Sequence, residues 1–485
     1  MPYDLFFSYR RHDLDRARPL LDALAGAGLS VFRDETAVDE GASITREIRE
    51  GIAGSKFLLA FYSTTYPVSG ACQEEIISAW LAAEQAGEPP QARVRIINPE
   101  PGFDHIPAPL RDLKAYQFPR EPAKLTALAS AIRAHADSLE DRLLAAAEQL
   151  LPDYHGMAPV HASHFVGRVQ ELWELHARLT ANRIGLISGV YGQGAAQLRG
   201  LGGNGKSLLA REYALRFGPA YPGGVFWLNA YGNDDSKGAL DEESRLATRQ
   251  DQLRRFALDL GVTIEGLKPE EIEAAFWRQL EAGRKACLSI VDDVPSGITP
   301  SNLERYWFAP CSNASTLITT RSREYESLGQ QLDLGVLSAE EAMALLTRGR
   351  RPENDPEEKA ARQLTEALGY HPLAVEVAGG YLAKVGDGFW QYLDELTDPR
   401  QDVLEYGALL RESLPTGHDR SITWTLLKSI QLLGEEGGDF LLLASVLAVA
   451  PISGSFLQDV FEAGRVYAGA QAPGTGAGGQ GSALG

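Results

Sequence analysis

The chain has 485 residues, enough for about three domains, and its 44% hydrophobic and 23% charged residues are those of a globular protein that can bury several cores. A formal charge of −19 argues against a broad nucleic-acid footprint or adhesion to anionic membranes, so neither is expected as a partner. Cys72, Cys287 and Cys311 are too scattered for a disulfide framework or a zinc site, and the N-terminus lacks the apolar core of a signal peptide, which together suit a cytoplasmic protein.

Residues 1–138 alternate short apolar strands with helices. Strands are expected at 4–8, 29–32, 57–62, 94–98 and 115–118, with a helical apolar face through Leu14, Ala17, Leu20, Leu21 and Leu24 and a later helix over 121–136. That order predicts a parallel sheet covered on both faces, with functional loops at the strand ends. The opening Tyr3-Asp4-Leu5-Phe6-Phe7-Ser8-Tyr9-Arg10, the run Val31-Phe32-Arg33-Asp34, the loop Gly41-Ala42-Ser43-Ile44 and the segment Ser69-Gly70-Ala71-Cys72-Gln73-Glu74-Glu75 resemble a TIR domain of flavodoxin-like fold. In NAD-cleaving members the last segment ends in the catalytic glutamate, and the resemblance selects Glu75; Ala71 departs from plant relatives, which usually carry tryptophan there. NAD already carries a cationic leaving group, so one carboxylate that stabilises an oxocarbenium-like transition state suffices, without the carboxyl pair of ordinary glycosidases. By residue chemistry alone, Glu75 suits a solvated carboxylate at a helix start better than a catalytic one, and it is the resemblance that selects it for catalysis.

Residues 139–163 begin with a charged helical stretch over 139–151, broken by Pro152-Asp153-Tyr154-His155-Gly156, and are expected to form a linker. Phe165-Val166-Gly167-Arg168 then precedes a helix carrying Leu172, Leu175 and Leu179, and residues 184–190 form a candidate extra strand. Gly200-Leu201-Gly202-Gly203-Asn204-Gly205-Lys206-Ser207 fits G-x-x-x-x-G-K-[ST], in which glycines aim backbone N–H groups at phosphates, Lys206 reaches the β/γ-phosphates and Ser207 ligates Mg²⁺. A strand at 225–228 follows, and the apolar strand over 286–293 ends in Asp292, read as the Mg²⁺-holding aspartate, and Asp293, read as a base orienting the attacking water of an ATPase. A strand over 315–320 runs into Arg321.

From Leu337 the chain turns helical, opened by a capping box at Ser338-Ala339-Glu340-Glu341, with a further helix over 356–368 and then Gly369-Tyr370-His371-Pro372-Leu373-Ala374. Val166, Gly167 and Arg168, the phosphate loop (Gly200, Gly202, Gly203, Asn204, Gly205, Lys206 and Ser207), Thr319-Thr320-Arg321 and the Pro372 element resemble the NB-ARC branch of the STAND NTPases. The resemblance implies ATP or ADP with Mg²⁺, with Val166–Arg168 and Pro372 on the base and ribose side and Arg321 reading the γ-phosphate. It divides the chain into a nucleotide-binding domain at 164–335, a helical subdomain at 336–400 and a partial winged helix at 415–465. A Gly/Ala/Gln-rich tail at 466–485 is too poor in apolar residues to bury a core. The second half of a winged helix is missing, as is any repeat array to sense a ligand, which is expected of an abruptly ending protein or a truncated longer receptor. The apolar run over 440–450 is too short to span a bilayer.

Taken together, these resemblances imply a nucleotide-switched immune signalling protein of bacterial, antiphage type that oligomerises to bring TIR domains together for NAD cleavage. Two rivals remain: a TIR scaffold that signals by contact alone, and an ATP-dependent winged-helix transcription regulator.

Overall fold

The structure is a computed structural model and describes residues 2–33, 46–111, 115–119, 121–158, 160, 165–181, 194–199, 204–230, 242–322, 324–325 and 327–397. Two parallel sheets organise them. The first contains β1 (Tyr3–Tyr9), β2 (Val31–Phe32), β3 (Ser55–Phe61), β4 (Val94–Asn98) and β5 (Ala115–Gln117) in the order β2-β1-β3-β4-β5. Phe6, Phe7, Leu58, Leu59, Ile96 and Ile97 are buried, as strands covered on both faces require. Helices Leu14–Gly26 and Pro122–Asp137 pack on one side, and Arg46–Ala53 and Gly70–Gln85 on the other. Strand order reverses between β1 and β3, so the crevice beyond their carboxyl ends is where such a fold takes a ligand.

The second sheet adds β6 (Tyr154–His155), β7 (Gly194–Arg199), β8 (Val225–Asn229), β9 (Cys287–Val294), β10 (Ala314–Thr320) and β11 (Gln330–Asp333) in the order β11-β7-β10-β9-β8-β6. All its pairs are parallel. Because β10 lies between β7 and β9, its carboxyl end reaches the site between the phosphate loop and the aspartates. Four helices follow, Ala339–Leu346, Asp355–Ala367, Pro372–Val385 and Phe389–Thr397. Ser338 and Glu341 form the expected capping box, and Asn354 caps the second helix by accepting from the Glu357 N–H at 3.0 Å.

The linker expectation for 139–163 needs correction over its described part. Only Ala145–Glu148 is helical, and the Leu143 N–H donates to the Ser55 carbonyl at 2.9 Å. Gln149 pairs twice with Ser78, at 2.7 and 2.8 Å, and Tyr154-His155 becomes an edge strand on β8. A polar-looking stretch is thus fixed by partners far away in the chain. The two sheets belong to one compact unit, Met1–Gln401, and share a continuous core. Trp80 of helix Gly70–Gln85 meets Trp173 of helix Val169–Ala181 edge-on at 5.1 Å, and Trp173 meets Phe217 at 5.4 Å. Beside them His176 lies 3.3 Å from Glu84 and 3.1 Å from the Tyr213 hydroxyl.

Several expectations lie outside the described residues: the loop at 34–43, the strand at 184–190, the partial winged helix at 415–465 and the tail at 466–485.

Candidate functional site

The first site stands on the carboxyl edge of the first sheet. Ser69 caps helix Gly70–Gln85 by accepting from the Cys72 N–H at 3.4 Å, which puts Glu75 in the second turn rather than at the start. Glu75 is only 7% exposed, so the alternative of a solvated helix-start carboxylate does not hold. Its Oε2 accepts from Ser8 Oγ of β1 at 2.5 Å, and Ser8 Oγ lies 2.6 Å from the Tyr66 hydroxyl. Burial, the largest cause, pushes the Tyr66 phenol well above its ordinary range, with the nearby Cys72 and Glu75 adding to it. Next to this group, buried Asp13 accepts from Ser63 Oγ at 2.5 Å, from Thr65 Oγ1 at 3.0 Å and from Arg16 at 3.2 Å. Glu74 instead lines a groove with Arg49, Ser78, Gln149 and Arg216, on the side facing the second domain. Of the two adjacent glutamates, Glu75 is the one that reaches β1, through Ser8.

The second site gathers the ends of β9, β10 and the helix Lys206–Arg216. Gly205 caps that helix with φ 84, a left-handed conformation open to glycine at little cost. Ser207 Oγ donates to Asp292 Oδ1 at 2.7 Å, and Thr319 Oγ1 donates to the same oxygen at 2.5 Å. The Asp293 N–H in turn donates to Thr319 Oγ1 at 2.8 Å, with Asp293 held at φ 58. A left-handed aspartate is uncommon backbone, and here β10 stabilises it from outside β9. Lys206 is half-buried, and its pKa falls to about 8, first through burial and then through the charge of Arg321, while Asp293 and Asp292 pull it back up. Arg321 and Lys206 therefore share one field, as residues converging on a polyanion would.

Ser207 and Asp292 offer a hydroxyl and one carboxylate on a common spot, and no cluster of three or more metal-ligating side chains occurs among the described residues. That donor set fits Mg²⁺, which takes one or two carboxylates plus phosphate oxygens and water, better than a metal needing a full protein cage. Asn204 is 4% exposed; its amide donates to the Leu334 carbonyl at 3.0 Å, while its Oδ1 is buried with no hydrogen-bond partner among the described residues.

The turn before helix Val169–Ala181 is locked to the helical region. The Arg168 N–H donates to Glu341 Oε1 at 2.7 Å, and its guanidinium donates to the Gly335 carbonyl at 2.7 Å and to Glu171. Gly167 sits at φ 71, the left-handed region that favours glycine, and a Cβ there would press on the Glu341 side chain that holds Arg168. Pro372 opens its helix as expected, and the Leu337 N–H donates to the Tyr370 carbonyl at 3.0 Å, tying this element to the capping box. Val166 is half-buried at the same turn. Gly200, Gly202 and Gly203 fall outside the described residues.

Ser8, Tyr66, Asp13 and Glu341 were not singled out by sequence. Ser8 had a signal, a lone hydroxyl closing the apolar run Leu5-Phe6-Phe7; Glu341 had one only as a cap.

Comparison with known proteins agrees with the first sheet. Residues 5–129 match the family model described as TIR domain. The regulatory protein AfsR of Streptomyces coelicolor is 28% identical over 312 residues, covering 63% of this chain, and the chain spans 30% of that relative's length. Among solved structures, a Walker-type ATPase of Pyrococcus abyssi aligns at 14% identity with a TM-score of 0.35, over 56% of this chain and 93% of its own. A STAND protein with a tetratricopeptide-repeat sensor from Pyrococcus horikoshii aligns at 16% and 0.31, over 56% and 46%. The TIR domains of the activated Roq1 resistosome align at 22% and 0.18, over 28% and 84%. Residues 5–129 carry the TIR domain, and the chain continues from it into a second parallel sheet, of six strands.

Proposed function

We propose that the TIR domain cleaves NAD to nicotinamide and an ADP-ribose product, and that the P-loop domain is its ATP/ADP switch. The observation that carries the first half is Glu75, a buried carboxylate held by Ser8 in the crevice where strand order reverses. There a carboxylate meets the ribose as positive charge develops, which is where fixed negative charge lowers a barrier most. Supporting the second half, Lys206, Arg321, Ser207 and Asp292 supply the cations and the Mg²⁺-side oxygens that a nucleoside triphosphate needs. Asp293, next to Thr319, would orient a water on the γ-phosphate. In this reading Val166–Arg168 and Pro372 serve the base side, and Gly200, Gly202 and Gly203 belong to phosphate binding by their sequence motif. Nucleotide exchange changes how chains associate, and association brings TIR domains together, in an innate defence of antiphage type.

The deciding experiment is incubation of purified protein with NAD, ATP and Mg²⁺, with nicotinamide measured by chromatography. Nicotinamide from wild type and none from Glu75→Ala is expected. Wild type that makes none at any protein concentration or nucleotide state sinks the enzymatic reading and leaves a scaffold. For the defence role, phage plating on cells carrying wild type should fall relative to cells carrying Glu75→Ala.

A further inference from the structure

Buried hydroxyls in the first domain have no place in the proposal above except through Glu75. We propose that Ser8 and Tyr66 are positioning residues for NAD cleavage, holding the Glu75 carboxylate by its Oε2 so that it meets the ribose in a single orientation. This inference rests on the NAD-cleaving reading of Glu75 and adds residues to it.

Three elements meet here. Ser8 belongs to β1 and is 1% exposed, between aromatic neighbours on a strand that otherwise turns apolar groups into the core. A hydroxyl buried there without a partner would be costly, so its contacts are a requirement of the fold. Tyr66 follows β3, is fully buried, and lies over Tyr62 with ring centroids 4.4 Å apart. Its hydroxyl donates to the Cys72 carbonyl at 3.0 Å, in the first turn of the Glu75 helix, and touches Ser8 Oγ at 2.6 Å.

Proton accounting gives the group its direction. Burial keeps Tyr66 a phenol, and its single proton serves the Cys72 carbonyl and Ser8 Oγ. Ser8 has one proton, and a carboxylate is an acceptor only, so that proton goes to Glu75 Oε2 at 2.5 Å. Ser8 thus fixes one carboxylate oxygen against β1, and Tyr66, in the turn after β3, fixes the first turn of the helix through Cys72. The side chain of Glu75 and the start of its helix are held from two different elements. Orientation of this kind matters to a transition state more than to binding, because ribose contacts of the ground state tolerate a swinging carboxylate.

A purely structural staple would hold the same helix on the same strands, so the test separates kcat from KM. Ser8→Ala and Tyr66→Phe are measured for nicotinamide release, thermal melting and the ¹³C carboxyl signal of Glu75, assigned by its loss in Glu75→Gln. Expected for Ser8→Ala is a kcat lower by about ten- to a hundredfold, with KM for NAD changed less than about twofold and a displaced Glu75 signal. Ser8→Thr, which keeps the hydroxyl, should recover most of the rate. Tyr66→Phe added to Ser8→Ala should cost less than its effect alone, since Tyr66 acts through Ser8. Wild-type kcat in Ser8→Ala, or a rate loss that follows melting temperature alone, overturns the proposal. If wild type releases no nicotinamide, the NAD reading fails, and a Glu75 signal unmoved by Ser8→Ala overturns the contact independently.

Discussion

Lys206 joins the proposed nucleotide site to pH. Its unfolded pKa is near 10.5 and burial beside Arg321 lowers the folded value to about 8, so between these the folded protein binds fewer protons than the unfolded chain. Stability contributed by this residue therefore rises as pH goes from about 8 towards 10.5, and the cost of keeping the lysine charged is felt below 8. A bound polyphosphate reverses the balance by favouring the ammonium. Nucleotide binding at pH 8.5–9 is then expected to take up a fraction of a proton, read by calorimetry in buffers of different ionisation enthalpy. Lys206→Arg, always charged, should bind without that uptake, whereas Lys206→Ala should lose tight binding altogether. Pure nucleotide-free protein showing no uptake would place the phosphate elsewhere. Asp292→Ala tests the neighbouring oxygen: it should weaken the Mg²⁺ dependence of binding, and an unchanged dependence would move the cation away from Ser207.

At the scale of elements, the helices bearing the two candidate sites end against each other. Lys206–Arg216 starts at the phosphate loop and finishes at Tyr213 and Phe217; Gly70–Gln85 carries Glu75 early and Trp80 and Glu84 later. Trp173, 1% exposed, fills the space between them. Trp173→Ala should destabilise the chain by about 3–5 kcal/mol in denaturant unfolding, as emptying a buried indole site does. A loss below about 1 kcal/mol would mean that the two domains are not packed through this residue. Much of this architecture was legible. Short apolar runs marked β1 to β5, β8, β9 and β10, and the Gly-rich loop before Leu208 and Leu209 marked the helix Lys206–Arg216. What escaped was set by distant partners. β6 is two residues long and exists because β8 offers an edge; the 139–151 stretch is pinned by Ser55, Ser78 and by Arg93, which donates to the Asp141 carbonyl at 2.7 Å. No spacing within the chain says that Glu341, an ordinary capping residue by pattern, also holds the Arg168 N–H. The buried face of Trp80 likewise reads in sequence as any core helix.

For the whole molecule, the packing of the TIR domain limits how copies can meet. The face of helix Gly70–Gln85 that carries Trp80 and Glu84 is already occupied by Trp173 and His176, and Gln85 donates to the Pro219 carbonyl at 3.0 Å. A second TIR domain must therefore use other surfaces unless this junction opens. Among the described residues no helix is long and apolar enough to cross a membrane. In the proposed function, association between chains brings TIR domains together, and it has a cost in lost freedom that a single catalytic pocket does not repay when dilute. Tethering through the nucleotide domain offsets that cost by raising the local concentration of TIR domains. Specific NAD-cleaving activity of the full chain is thus expected to rise with protein concentration and to respond to the bound nucleotide, ATP against ADP, in parallel with mass measured by light scattering. Lys206→Ala should break that response while leaving activity inducible by artificial dimerisation, because it spares Glu75 and Ser8. A dilution series in which a demonstrably monomeric chain keeps constant specific activity would show that one TIR domain is sufficient, and the nucleotide site would then need a different output.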